Sequence, residues 1–126
     1  MLFLNETEIL FSNALERLES AKILFNNGQY ADSVGRAYYA MFFAARAILF
    51  QKNIHPRTHR GLISQFSFEI VKKGNFPREL FDLLTRAQED REQADYGFKI
   101  DIDSIEAELI IEGAKKFLEE CQKFVL

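Results

Sequence analysis

Cysteine, proline and long apolar runs are scarce in this sequence, and each scarcity excludes a class of structure. The single cysteine, Cys121, excludes an internal disulfide and most cysteine-based metal sites, so a reducing, cytoplasmic setting is the simplest interpretation. The longest apolar run, residues 37–45, is far shorter than the roughly 20 residues that a membrane span requires. The apolar N-terminus has no basic region or cleavage site, so we expect neither a signal peptide nor a membrane span.

Acidic residues are missing from one long stretch of the chain. The net charge of −3 argues against a general, salt-driven coat on nucleic acid. Residues 33–68 contain no Asp or Glu but carry five basic residues, Arg36, Arg46, Lys52, Arg57 and Arg60. This asymmetry predicts an anion-facing side on an acidic molecule. The alternative is a central helix that holds few charges of either sign.

Apolar residues recur at spacings of three and four along nearly the whole chain, which predicts a single all-α domain over residues 1–126. Five helices are expected, over about residues 5–27, 30–52, 58–73, 75–96 and 103–126. Their expected N-terminal signals are capping boxes at Asn5–Glu8 and Asp103–Glu106, and Asn75 as a cap with Pro77 in the first turn. Short connections favour an antiparallel up-and-down bundle of four to five helices. The residues expected to face inward in the first and last helices are Ile9, Leu10, Ala14, Leu15, Leu18 and Leu24, and Ile105, Leu109, Ala114, Phe117, Leu118 and Phe124.

The second helix has apolar residues on two faces. One stripe holds Val34, Tyr38, Met41, Phe42, Ala45 and Leu49, and the other holds Arg36, Tyr39, Phe43, Arg46 and Phe50. The helix is therefore either central to the bundle or half of a homodimer interface, and we predict a homodimer. The two arginines either pair with neighbouring carboxylates or stack on aromatic rings beside a bound phosphate or base.

The fourth helix places Arg91 and Asp95 on the same stripe as Leu80, Leu83, Leu84, Ala87 and Ala94. The two charged residues are four apart, so their side chains can meet. They either form a buried structural pair or line a cleft in which Asp95 orients Arg91 toward a ligand. Their neighbours Glu89, Asp90, Glu92 and Gln93 are expected to form an ordinary solvated surface.

The two histidines do not make a metal site. His55 and His59 are four apart, but Pro56 separates them and the chain offers no third histidine or suitable cysteine. We predict that His59 caps the third helix or lines the cleft. No Gly-rich phosphate loop, catalytic serine motif or paired-carboxylate constellation rises above chance, and we expect no cofactor.

Three motifs in order resemble one family. Residues 33–42, SVGRAYYAMF, residues 58–62, THRGL, followed by Phe66, and residues 91–96, REQADY, are similar to signatures of small prokaryotic HEPN-domain proteins associated with minimal nucleotidyltransferases. The resemblance implies a helical bundle, homodimerisation, nucleotide or RNA binding, and a nucleotidyltransferase partner. It also implies a toxin–antitoxin-like pair, acting in stress or defence.

The same resemblance makes nuclease activity unexpected. Active HEPN ribonucleases carry an R-x(4–6)-H motif, in which the histidine transfers a proton and the arginine stabilises the phosphate. Here Tyr96 follows Arg91 at the matching position, and no arginine is followed by histidine at the required spacing. Tyrosine, with an ordinary pKa near 10, is a poor base at neutral pH.

Three functions remain open at this stage. The first is a nucleotide- or RNA-binding module, whose predicted ligand-binding residues are Ser33, Arg36, Tyr39, His59, Arg91, Asp95 and Tyr96. The second is a metal-independent endoribonuclease that uses Arg91 with Tyr96 or His59 for proton transfer. The third is a structural dimerisation protein, in which the polar groups fix the register of the bundle.

Overall fold

A computed structural model describes residues 5–97 and 101–125, which form a bundle of five α-helices. The helices are α1 (Glu6–Asn26), α2 (Tyr30–Gln51), α3 (His59–Phe66), α4 (Arg78–Asp95) and α5 (Ser104–Gln122). A π-helical segment, Ser67–Val71, follows α3 directly. Neither described range contains a strand, and the predicted all-α bundle is confirmed.

Most helix ends lie where the local sequence signals place them. At α1 the Asn5 side chain accepts a hydrogen bond from the Glu8 amide at 2.8 Å, and the Asn5 amide donates to the Glu8 carboxylate at 3.4 Å. Gly28 and Gly74 adopt φ angles of +76° and +80°, in the left-handed region that ends a helix. At α5 Asp103 accepts from the Glu106 amide at 2.9 Å, but the Glu106 carboxylate binds Arg86 instead of closing the box.

The prediction that Asn75 caps the fourth helix is wrong. The N-cap is Pro77, whose backbone is extended (φ −61°, ψ 127°) and whose carbonyl accepts from the Leu80 and Phe81 amides. The preceding Phe76 is buried against Phe66, at a ring separation of 5.1 Å. Because Phe76 must reach the core, the helix starts after it.

α2 is the centre of the bundle and packs against each of the other four helices. Twelve of its residues are buried, and five of these are alanines, so the neighbouring helices can approach closely. The central-helix interpretation is therefore confirmed. The second stripe lies at the edge of the packing, where Tyr39, Phe43 and Phe50 are half-buried while Arg36 and Arg46 are exposed.

Four residues that were expected to face inward are exposed: Ile9, Leu15, Ile105 and Leu109. In α1 the buried row runs through Phe11, Ala14 and Leu18 instead. Helical periodicity fixes the spacing of a buried face but not which of two adjacent apolar residues occupies it. No helix within the two described ranges has the length and apolar character needed to cross a bilayer.

Candidate functional site

A cleft of about 700 Å³ opens between α1, α2 and α4. Its walls are Leu24 from α1, Ala31, Asp32, Gly35, Arg36 and Tyr39 from α2, and Arg91, Ala94 and Asp95 from α4. The volume falls within the range of about 300–1,000 Å³ that is typical of small-molecule sites. Two guanidinium groups therefore face one concave surface of nucleotide size.

Arg91 is held in this cleft from several directions. Its Nη1 atom donates to Asp95 Oδ2 at 2.7 Å. Its Cζ atom lies 5.1 Å from the ring centroid of Tyr38 and 5.5 Å from that of Tyr39, within the range of cation–π attraction. Its Nε atom is buried and has no hydrogen-bond partner among the described residues. The guanidinium is thus fixed in place while part of its donor capacity stays unused.

The predicted contact between Arg91 and Asp95 is confirmed, but only Arg91 faces inward. The Arg91 side chain is 20% exposed, whereas that of Asp95 is 61% exposed. Ala94, which was expected to face inward, is exposed as well. The pair therefore lines a surface cleft and is not a buried structural pair.

Behind Arg91 lies a bonded pair from α2 and α3. The Tyr38 hydroxyl is 2.8 Å from Nδ1 of His59, and the imidazole stacks on Phe42 at a ring separation of 4.2 Å. Burial raises the pKa of Tyr38 well above its ordinary value. Burial lowers the pKa of His59, and the charge of Arg91 acts in the same direction, opposed by Glu92. Both groups are therefore uncharged at neutral pH.

The predicted site residues divide into two groups. Arg36, Tyr39, Arg91 and Asp95 come together in the cleft. Ser33 is fully buried, and its hydroxyl donates to the Tyr30 carbonyl at 2.8 Å, so its position does not support a ligand contact.

His59 and Tyr96 lie outside the cleft wall. His59 does not cap α3, since Thr58 does so by accepting from the Gly61 amide at 2.9 Å. It lies one side chain behind the cleft, through Tyr38. Tyr96 is 76% exposed and does not line the cleft.

Three residues of the site were not singled out from the sequence. Asp32 lies four residues before Arg36, a spacing that places both on one face of α2 and could have indicated it. Gly35 gave no signal of its own. Tyr38 was assigned correctly to the apolar stripe, but that assignment did not predict the hydrogen bond between its hydroxyl and His59.

A second polar cluster joins α4 to α5 and corrects the expectation that Asp90 is solvated. Arg86 binds the Glu106 carboxylate through two nitrogens, with Nε donating to Oε2 at 2.9 Å. Asp90 is half-buried, and its Oδ2 has no hydrogen-bond partner among the described residues. Burial and the adjacent Glu106 raise the pKa of Asp90 to about 7, while the bond from Arg86 lowers the pKa of Glu106.

Neither polar cluster has the composition of a metal centre. Within residues 5–97 and 101–125, no group of three or more His, Cys, Asp or Glu side chains is arranged to hold a metal ion. The chemistry that the cleft offers is therefore that of guanidinium groups, tyrosine rings and a clamping carboxylate.

Comparison with known proteins shows the family to which this chain belongs. The model of the HEPN domain matches residues 7–124. Two Methanocaldococcus jannaschii proteins, each named a putative toxin, are 34% and 38% identical, over 96% and 94% of this chain and 82% and 87% of their own lengths. A UPF0332 protein of Thermotoga maritima is 32% identical over 89% of this chain and 85% of its own length. The chain belongs to the HEPN domain family.

Proposed function

We propose that this protein is a nucleotide- or RNA-binding HEPN module whose cleft holds a phosphate on Arg91. The observation that supports the proposal most strongly is the way in which the Arg91 guanidinium is held in the cleft. This guanidinium is oriented by Asp95, it rests over two tyrosine rings, and it lines the open cleft. A planar guanidinium held in this way matches the bidentate geometry of phosphate oxygens.

The other residues of the cleft fit the remaining parts of a nucleotide. Arg36 adds a second exposed cation on the facing helix. The half-buried ring of Tyr39 offers a surface for a base, and the Asp32 carboxylate offers an acceptor for ribose hydroxyls. Asp95 keeps Arg91 in position by its ion pair.

The bond between Tyr38 and His59 favours binding over cleavage. We assign the Tyr38 hydroxyl as the donor and Nδ1 of the neutral imidazole as the acceptor, because the buried hydroxyl has no other acceptor among the described residues. In that tautomer Nε2 carries the proton and cannot accept one from a ribose 2′-hydroxyl. The ring can therefore donate a hydrogen bond toward a ligand but is in the wrong form to serve as a general base.

A toxin–antitoxin-like role with a nucleotidyltransferase-type partner completes the proposal. Two lines support it: the names of the M. jannaschii relatives and the motifs shared with the nucleotidyltransferase-associated HEPN branch. Expression together with the product of the adjacent reading frame tests the partner. Co-purification of a nucleotidyltransferase-type protein is the expected result.

We also propose that two copies associate through the outer edge of α2. Phe43 and Phe50, which do not line the cleft, form a half-buried aromatic pair there, and the Arg17 guanidinium lies 4.9 Å from the Phe43 ring. Light scattering should give the mass of two chains, and Phe43→Glu should reduce it to one. A monomeric mass for the wild type would contradict this part of the proposal.

Thermal unfolding with a panel of nucleotides tests the cleft. A ligand at 100 times its dissociation constant adds about 2.7 kcal/mol of stability, and Arg91→Ala should remove that gain. Arg78→Ala is the matched control, because Arg78 also lies on α4 and faces an aspartate four residues later, Asp82, away from the cleft. Equal stabilisation of wild type and Arg91→Ala would refute the proposed phosphate site. RNA cleavage by the wild type that is lost in His59→Ala would replace binding by nuclease activity.

A further inference from the structure

A second groove lies on another face of the bundle, between α3, the π-helical segment and α4. We call it the basic groove, and its volume is about 370 Å³. The residues that matter in its wall are Arg60, Ser64, Ser67, Phe68, Lys72 and Gln88. No Asp or Glu lines it, although the chain as a whole is acidic.

An aromatic ring is displayed at the edge of this groove. Phe68 is 59% exposed, although a phenylalanine is more stable when buried. It lies in the π-helical segment, where the Lys72 amide donates to the Ser67 carbonyl at 2.9 Å across the widened turn. Such turns occur often at functional sites. The ammonium of Lys72 lies 6.0 Å from the centroid of the Phe68 ring, so the positive charge and the ring are close together in the groove.

The cations of the basic groove are not neutralised by the protein. Neither Arg60 nor Lys72 forms an ion pair with any described residue, whereas the next lysine, Lys73, binds Glu69 at 3.2 Å. Arg60, from the acid-free stretch of residues 33–68, and Lys72, beyond Glu69, therefore give the groove two positive charges without an ion-pair partner among the described residues. An unpaired cation beside an exposed ring is the arrangement that single-stranded nucleic acid uses.

We propose that the basic groove binds one nucleotide unit of single-stranded RNA, with its base stacked on Phe68 and its phosphate on Arg60 and Lys72. Ser64, Ser67 and Gln88 supply hydroxyl and amide groups for the sugar or the base edge. This inference rests on the proposed function and extends it to a second subsite.

The basic groove lies next to the Arg91 cleft along the chain and along α4. Gln88 precedes Arg91 by three residues, about 4.5 Å along the helix, and Arg60 directly follows His59. The cleft and the basic groove therefore lie on neighbouring turns of α4. An acidic protein segment would use the same cations but would have no base to place on Phe68.

The test measures binding of a fluorescent oligouridylate by anisotropy. Phe68→Ala should weaken binding by roughly 5- to 150-fold, the cost of losing one stacked base; Phe68→Leu, which keeps apolar area without a ring, should weaken it similarly. Arg60→Ala with Lys72→Ala should weaken binding and reduce the slope of log affinity against log salt by about 1.4. The matched control, Arg57→Ala with Lys73→Ala, removes the same charge outside the groove and should change little.

The outcomes separate this proposal from the one for the cleft. If the Phe68 and Arg60/Lys72 variants bind like the wild type, the basic groove is not a subsite, whatever Arg91→Ala does. If polyglutamate displaces the RNA at equal charge concentration, the groove is a general anion surface and the proposal fails. Competition by uridine monophosphate that matches the oligouridylate per nucleotide would indicate a free-nucleotide site instead of a strand site. Failure of the wild type to bind oligouridylate also overturns the groove, while the cleft is judged by its own thermal shifts with free nucleotides.

Discussion

The Tyr38 hydroxyl and Nδ1 of His59 are joined by a 2.8 Å hydrogen bond that ties α2 to α3 directly behind Arg91. The Arg91 guanidinium lies over the same Tyr38 ring. One tyrosine thus supports the Arg91 guanidinium with its face and fixes an imidazole with its hydroxyl. A change at Tyr38 should therefore be felt both in stability and at the site.

Tyr38→Phe tests the hydroxyl alone. The substitution leaves Nδ1 of His59 without a partner in a half-buried position, and should lower the free energy of unfolding by about 1–3 kcal/mol. Tyr39→Phe is the control, since the Tyr39 hydroxyl makes no hydrogen bond to a described residue, and should change stability by less than about 0.5 kcal/mol. Urea unfolding measures both variants. Equal effects would show that the Tyr38–His59 bond contributes nothing.

The pKa of His59 should respond to Arg91. Burial and the Arg91 charge hold it below the ordinary 6.5, so NMR titration should find a lower value, and Arg91→Ala should raise it. Because the folded-state pKa is depressed, the contribution of His59 to stability is present above about pH 6.5 and is lost as pH falls through the folded-state pKa. An unchanged titration in Arg91→Ala would show that the two groups do not interact.

Asp90 should make the protein more stable in mild acid. Its pKa is raised from 3.8 to about 7 by burial and by Glu106, so the folded state holds the proton more tightly than the unfolded chain. Its stability contribution is full below about pH 3.8 and is lost as pH rises through about 7. Asp90→Asn keeps the neutral shape, and should raise the melting temperature more at about pH 8.5 than at about pH 4.

Glu79→Gln removes one negative charge from an exposed position on the same helix and serves as the control for Asp90→Asn, because Glu79 is not among the groups that shift the pKa of Asp90. It should change the melting temperature by a similar small amount at both pH values. If the gain from Asp90→Asn is also independent of pH, then Asp90 is ionised in the folded state and the expectation is wrong.

Replacement of two glycines by alanine should change the free energy of unfolding in opposite directions. Gly35 lies within α2, and an added Cβ there meets no atom within 4 Å, so Gly35→Ala should raise stability by about 1 kcal/mol. The new methyl also enters the wall of the cleft, so nucleotide affinity should fall. Gly97 has a φ of +74°, and Gly97→Ala should lower stability by about 1–2 kcal/mol. Chemical unfolding and nucleotide titration together check both signs.

The sequence predicted the bundle and much of the cleft because both depend on local signals. Capping at Asn5 and Asp103 and the left-handed Gly28 and Gly74 were readable in a few adjacent residues. The inward orientation of Arg91 followed from helical periodicity. The same rule failed for Asp95, the last residue of α4, whose side chain is 61% exposed.

What the sequence did not predict depends on contacts between distant residues. Asp90 and Glu106 are sixteen residues apart on different helices, and nothing in either segment signals that they meet. The basic groove combines residues of α3, the π-helical segment and α4, and no sequence rule used above predicts a π-helical turn. The bond from Tyr38 to His59 was likewise hidden, since a tyrosine on an apolar stripe gives no indication of where its hydroxyl points.

Because α2 packs against four neighbouring helices, we expect other segments of the molecule to unfold locally before α2 does. Amide hydrogens of a helix whose inner face is buried by its neighbours exchange with solvent mainly in large-scale unfolding, whereas the last turn of a surface helix frays at little cost. Tyr38 and Tyr39 lie on the central helix α2, whereas Asp95 is the last residue of α4. Loosening of the final turn of α4 therefore moves the Asp95 wall of the cleft while the rings of Tyr38 and Tyr39 beneath Arg91 stay in place.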